Sequence, residues 1–154
     1  MVNKKLSYQA IDLQLVTFFK RTFEPFARFS LFLIFFWFGA IKLLGLSPAS
    51  PLAEALTAKT VGMQYFDGLF YSLAIIECLI GLLFLFPKVT RIVIPLLLFH
   101  MIIVSSPLLL VPEYTWQQFG VPTLEGQYII KNVAVIAVAM GIYASVGPLK
   151  TNRT

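Results

Sequence analysis

Residues 66–86 read FDGLFYSLAIIECLIGLLFLF, and the glutamate near the middle of that run decides the fold. About 20 consecutive apolar residues, at helical rise, match the roughly 30 Å hydrocarbon core of a bilayer. Glu77 lies one residue from the centre of the run. A carboxyl at that depth costs a few kcal/mol or more, and such groups persist where they face a partner or a polar cavity.

Three further stretches have the same character. Residues 26–46 carry Lys42, residues 91–111 carry His100, and residues 127–146 carry Lys131 and Asn132. The chain of 154 residues is 58% hydrophobic and 12% charged. A soluble domain has about twice that charged fraction. The expected fold is therefore an all-α membrane protein, a bundle of four transmembrane helices in one domain over residues 25–148. A short helix around Leu52–Thr60 is expected in the first outer loop. Pro107 is placed to kink the far end of the third span.

Residues 1–24 precede the bundle. Ile11, Leu15, Phe18 and Phe19 recur at helical spacing among Asp12, Gln14, Lys20 and Arg21. This predicts an amphipathic helix lying in the headgroup plane. Glu24-Pro25 is the expected start of the first span, since proline suits a first helical turn. Residues 149–154 form a short tail. No cleavable signal peptide is expected, because the first apolar run is short and no small-residue site follows it.

The basic residues set the orientation. Lys4, Lys5, Lys20, Arg21, Arg28, Lys88, Arg91, Lys150 and Arg153 fall on one side, against Lys42, Lys59 and Lys131 on the other. Nine against three places both termini in the cytoplasm. The net charge of +5 is thus a topology signal and a lipid contact, and no nucleic-acid partner is expected. The lone Cys78 excludes an internal disulfide or a dithiol centre. Motifs for nucleotide binding, covalent hydrolysis or zinc are missing, no metal site is predicted, and an autonomous enzyme is not expected.

Depth along the spans arranges the polar residues in two layers. Glu77 and His100 fall within about 2 Å of the midplane, and Lys42 and Lys131 roughly 8–9 Å outward. Gln127 and Lys131 share a face at i, i+4, as do Tyr128 and Asn132. Lys42, Glu77, His100, Lys131, Asn132 and Gln127 are the candidate ligand-binding residues. Each lysine also has the alternative of snorkelling to the outer headgroups. Gly39, one turn before Lys42, and Gly81, one turn after Glu77, are placed to let helices approach closely.

Trp37-Phe38-Gly39-Ala40-Ile41-Lys42 followed by Leu46-Ser47-Pro48-Ala49-Ser50-Pro51, the run Glu77-Cys78-Leu79-Ile80-Gly81, and Pro122-Thr123-Leu124-Glu125-Gly126-Gln127-Tyr128-Ile129-Ile130-Lys131-Asn132 resemble segments of the DoxX-like and DUF417-type bacterial membrane proteins. The resemblance covers most of the chain from Arg28 to Tyr143. It implies a four-helix protein of the bacterial inner membrane and a redox- or stress-associated accessory role. Combined with the polar layers, it leads to an outward-facing pocket for a quinone-like or small anionic ligand, with quinone as the one cofactor suggested. The alternatives are a proton-coupled carrier or channel for a small solute, and a structural or assembly partner of another membrane protein. The expected partners are the lipid bilayer and either a membrane protein or further copies of the chain.

Overall fold

The computed structural model describes residues 2–148, with side chains from Tyr8 onward. The tail, with Lys150 and Arg153, lies outside the described residues. Four helices among those described are long and apolar enough to cross a membrane: Tyr8–Leu43, Met63–Phe84, Pro87–Leu110 and Leu124–Ser145. That set suits a multi-pass membrane protein. Large apolar side chains cover the outside of the bundle, among them Trp37, Ile75, Phe99, Ile102 and Val133. In water such a surface is a liability, and in lipid it is the ordinary one.

The first helix, α1, runs unbroken from Val2 to Leu43 with Pro25 inside it. The sequence pattern predicted a separate segment before Pro25, whereas the helix passes through. An interior proline loses its N–H donor and crowds the carbonyl one turn before it, and the Arg28 Nε donates to Glu24 Oε1 at 2.9 Å across this point of the helix. At its other end α1 stops where Gly45 takes a φ of +70°. Gly45 N donates to Lys42 O and Leu46 N to Ile41 O, the bond pair of a Schellman cap. This stop holds Lys42 in the last turn, where a cation favours the helix dipole.

The loop after α1 then forms α2 (Ser50–Thr60), and a tight turn at Met63–Tyr65 leads into α3 (Phe66–Phe84). After a turn at Pro87–Val89, α4 covers Thr90–Ser105. Ser106 separates it from α5 (Pro107–Leu110), because Pro107 has no N–H to continue the ladder. A short helix α6 (Pro112–Thr115) and a hairpin of β1 (Trp116–Gln118) with β2 (Val121–Pro122) follow at the same end of the bundle as α2. The all-α expectation is thus correct for the bundle but missed this small hairpin. Trp116 Nε1 donates to Leu108 O at 3.0 Å and pins it down. The last span is interrupted at Lys131, with α7 over Leu124–Ile130 and α8 over Asn132–Ser145.

The core lies between α1, α3, α4 and α8. Leu31 and Phe35, Ile80 and Phe84, Val93 and Leu97, and Ala139 and Ile142 form one buried cluster. The closest pairing is α1 against α3. A Cβ on Gly39 would come within 2.7 Å of Ala74 O and 2.6 Å of Cys78 Sγ, and one on Gly81 within 2.6 Å of Phe36 N. Each glycine therefore receives the backbone of the opposite helix, the arrangement that small residues permit.

Two outcomes follow. Gly81→Ala should cost about 1–3 kcal/mol by overpacking, read as a lower unfolding midpoint in detergent. Gly68→Ala, with nothing within 4 Å of its Cβ, should be neutral or slightly stabilising. The second concerns Glu113, whose carboxyl is held below the ordinary range by a backbone amide hydrogen bond and then by the Lys59 ammonium. Lys59 Nζ stands 3.2 Å from Glu113 Oε1, joining α2 to α6. A depressed carboxyl stabilises fully above its unfolded pKa of about 4.3, and the contribution fades as pH falls through the lower folded value. A pH series of unfolding midpoints should show a shallower acid-side loss in Glu113→Gln than in the parent.

Candidate functional site

Three helices deliver one ionisable side chain each to a single point. Lys42 from α1, Glu77 from α3 and His100 from α4 are 8%, 5% and 2% exposed. Lys42 Nζ donates to Glu77 Oε2 at 2.5 Å. The second carboxylate oxygen, Oε1, stands 3.4 Å from His100 Nε2. The glutamate thus bridges an ammonium and an imidazole. The Phe35 ring lies at a steep 74° to the imidazole, with centroids 5.7 Å apart.

The lysine reaches this point because of its stem. Its Cα sits in the last turn of α1, and a four-methylene stem lets the ammonium reach about one helical turn from its own Cα to the carboxylate. Of the two depth layers expected from the sequence, Lys42 thus joins Glu77 and His100, whereas Lys131 does not. The Gly39 and Gly81 approach makes this possible by bringing the α1 and α3 backbones together.

One atom of the centre is left over. Among the described residues, His100 Nδ1 is buried and has no hydrogen-bond partner. An unpaired buried polar atom costs about 1–3 kcal/mol, and native interiors contain few of them. One hollow lies along α1 at Leu13, Thr17 and Arg21 and another near Val61, Tyr65 and Gly68, both away from the centre. The three side chains of the centre are themselves buried, with Phe35 against the imidazole.

The remaining candidates stand apart. Gln127 and Lys131 are exposed and Asn132 is half-buried. Among the described residues, no hydrogen bond or ion pair joins them to the centre. Gly126 and Ile129 are the residues of α7 that turn inward. Positions two residues before and after Ile129 lie about 200° around the helix, which directs Gln127 and Lys131 outward. Lys131 Nζ instead sits 4.9 Å above the Tyr128 ring, a cation–π contact.

Arg28 was read from the sequence as a topology signal, and the structure gives it a second role. It is 6% exposed. Its Nη2 donates to Thr90 Oγ1 at 2.8 Å and its Nη1 to Phe84 O at 3.4 Å, while Thr90 Oγ1 donates to Pro87 O. This cluster ties α1 to the end of α3 and the start of α4. The Glu24–Arg28 spacing of i, i+4 was the available signal, but its other partners lie about 60 positions along the chain. Trp116 and the buried Thr115 bond instead to Leu108 O and Pro107 O, away from the centre.

Compared with family models, curated proteins and solved structures, the chain matches none.

Removing one member of the Lys42–Glu77 pair strands a buried charge. Lys42→Met or Glu77→Leu alone should cost about 3–5 kcal/mol. The double replacement should recover most of that, because no unpaired charge is left. A double-mutant cycle on unfolding midpoints in detergent would measure the coupling, and additive losses would contradict the pairing.

Proposed function

We propose that this chain is a DoxX-like accessory protein of the bacterial inner membrane, with both termini cytoplasmic. Its Lys42–Glu77–His100 centre binds a quinone-like or small anionic molecule that arrives from the Lys42 side. On this reading the protein serves a redox- or stress-linked process and does not turn over substrate on its own.

The observation that carries the reading is the unpartnered Nδ1 of His100. A centre that served packing alone would gain by satisfying that atom, or by replacing all three groups with aliphatic side chains. The imidazole selects the ligand. Its Nδ1 can accept from a hydroxyl in one tautomer and donate N–H to a carbonyl or anionic oxygen in the other. Both tautomers suit a quinone-like head, whose oxygens alternate between hydroxyl and carbonyl.

Access requires one side chain to move. Lys42 stands next to the Gly45 turn at the end of α1, and swinging its stem outward uncovers the carboxylate and the imidazole. The resemblance in the first, second and fourth spans agrees with this assignment. A second reading is favoured by the burial of the centre: the three residues act as interhelical glue in a subunit of a larger membrane assembly.

Extraction with native lipids followed by native mass spectrometry should retain a small ligand on the parent. Glu77→Gln and His100→Ala should reduce quinone retention about tenfold or more, the worth of one charge-assisted hydrogen bond at about 1.4 kcal/mol per decade. Equal retention by all three proteins would eliminate the ligand reading and leave the structural one.

A further inference from the structure

The first helix is longer than its task. About 20 residues cross a bilayer core, and that many counted back from Leu43 end at Phe23 and Glu24, beside Pro25. The segment before that point extends past the bundle by about 30 Å at helical rise. Its side chains from Tyr8 to Arg21 are exposed throughout, and they are not randomly placed.

At about 100° per residue, Tyr8, Ile11, Leu15, Phe18 and Phe19 share one arc about 100° wide. Each is more than half exposed. Phe26, Phe29, Leu33, Phe36 and Trp37 occupy the same arc farther along the helix, and they too are exposed. The apolar stripe of the overhang is therefore a continuation of the outward stripe of the span. The opposite side of α1 carries Ala27, Arg28, Leu31 and Phe35 into the bundle. In the overhang that same side holds Thr17, Lys20, Arg21 and Glu24, with Leu13 the one large apolar residue among them from Tyr8 onward.

We infer that the overhang of α1 is a docking surface for the cytoplasmic, anionic leaflet of the bilayer, reached by bending at Pro25 toward the apolar stripe. The direction of the bend follows from the stripe. A helix leaving the membrane with its apolar side outward, when tipped outward, turns that side up against the lipid. Arg21 then lies on a flank of the polar side and Lys20 nearer its middle, where a long stem can still bring each charge toward headgroup phosphates. By sequence, residues 2–28 hold five basic side chains against Asp12 and Glu24. Asp12 falls at the edge of the apolar arc and limits how deep the helix can sink.

The bend has a place to occur. Pro25 offers no N–H to the Arg21 carbonyl. Thr17 and Thr22 hydroxyls donate back to Leu13 O at 2.7 Å and Phe18 O at 2.9 Å, a pattern that curves helices. Arg28, fixed to Phe84 and Thr90, holds everything after the proline to the bundle. A second copy of the chain is the other conceivable cover, but continuity with the outward stripe and the basic flanks both favour lipid.

The inference rests on the membrane-spanning reading and is independent of the Lys42–Glu77–His100 centre. It is tested in the full chain carrying Cys78→Ser, with one new cysteine at a time from Leu15→Cys, Phe19→Cys or Thr17→Cys, labelled with an environment-sensitive fluorophore. The protein is reconstituted into phosphatidylcholine vesicles with or without phosphatidylglycerol, some bearing acyl-chain nitroxide quenchers. Blue-shifted emission quenched by the nitroxides at positions 15 and 19 but not at 17, weakened without phosphatidylglycerol and by Lys20→Glu with Arg21→Glu, is the expected result. Equal emission at all three positions would overturn it. So would a blue shift at 15 and 19 without lipid quenching, which would mark a cover of second copies. No ligand is read, so failure of the polar centre would leave this outcome unchanged.

Discussion

The contact on which the structure depends is the ion pair between Lys42 and Glu77. Two charges withdrawn from water lose several kcal/mol of hydration each, and their mutual attraction offsets this only at close range and in good geometry. The pair meets that condition because α1 and α3 touch backbone to backbone at Gly39 and Gly81. Bulkier residues there would move the helices apart and leave a lysine reaching toward a carboxylate it could not close on. The small residues and the charged ones are parts of one device.

A second polar cluster lies at the other end of the same helix. Arg28 is 14 positions from Lys42, about 21 Å along the axis. It joins α1 to Phe84 and Thr90 just as Lys42 joins it to Glu77. Between them lies an apolar core of Leu31, Phe35, Ile80, Phe84 and Leu97. Apolar packing alone sets register weakly, since aliphatic surfaces slide with little penalty. Two separated polar clusters, each with directional bonds, permit one alignment of α1 against its neighbours. His100 adds α4 to the outward cluster, while the last span joins through apolar packing at Ala139 and Ile142.

Much of this was legible in the chain. The four apolar runs, the short outer helix before Thr60 and the glycine positions one turn from Lys42 and Glu77 follow from composition and spacing. The convergence of Lys42, Glu77 and His100 was legible as an energetic argument, because charge in an apolar run asks for a partner. Lys131 shows the limit of that argument. It is as unfavourable in a span as Lys42, but it sits near a helix interruption and on the side away from Ile129, where an aromatic ring and the exterior accept it. Arg28 shows the converse. It was counted with the other basic residues at the inner boundary, since nothing local distinguishes an arginine that faces headgroups from one that turns inward. The passage of α1 through Pro25 was missed for a similar reason: proline is compatible both with a helix start and with an interior bend.

The sequence by itself determined that four helices are long and apolar enough to cross a bilayer, and that the polar residues inside those runs need partners. Both are properties of each segment taken alone, fixed by hydropathy and helical rise. Only the tertiary structure decided which partners meet, which lysine turns in and which turns out, and that one imidazole nitrogen is left unpaired. Those outcomes depend on helix rotation and separation, and these are set by contacts between residues far apart in the chain, Gly39 with Cys78 and Arg28 with Thr90, that no local pattern encodes.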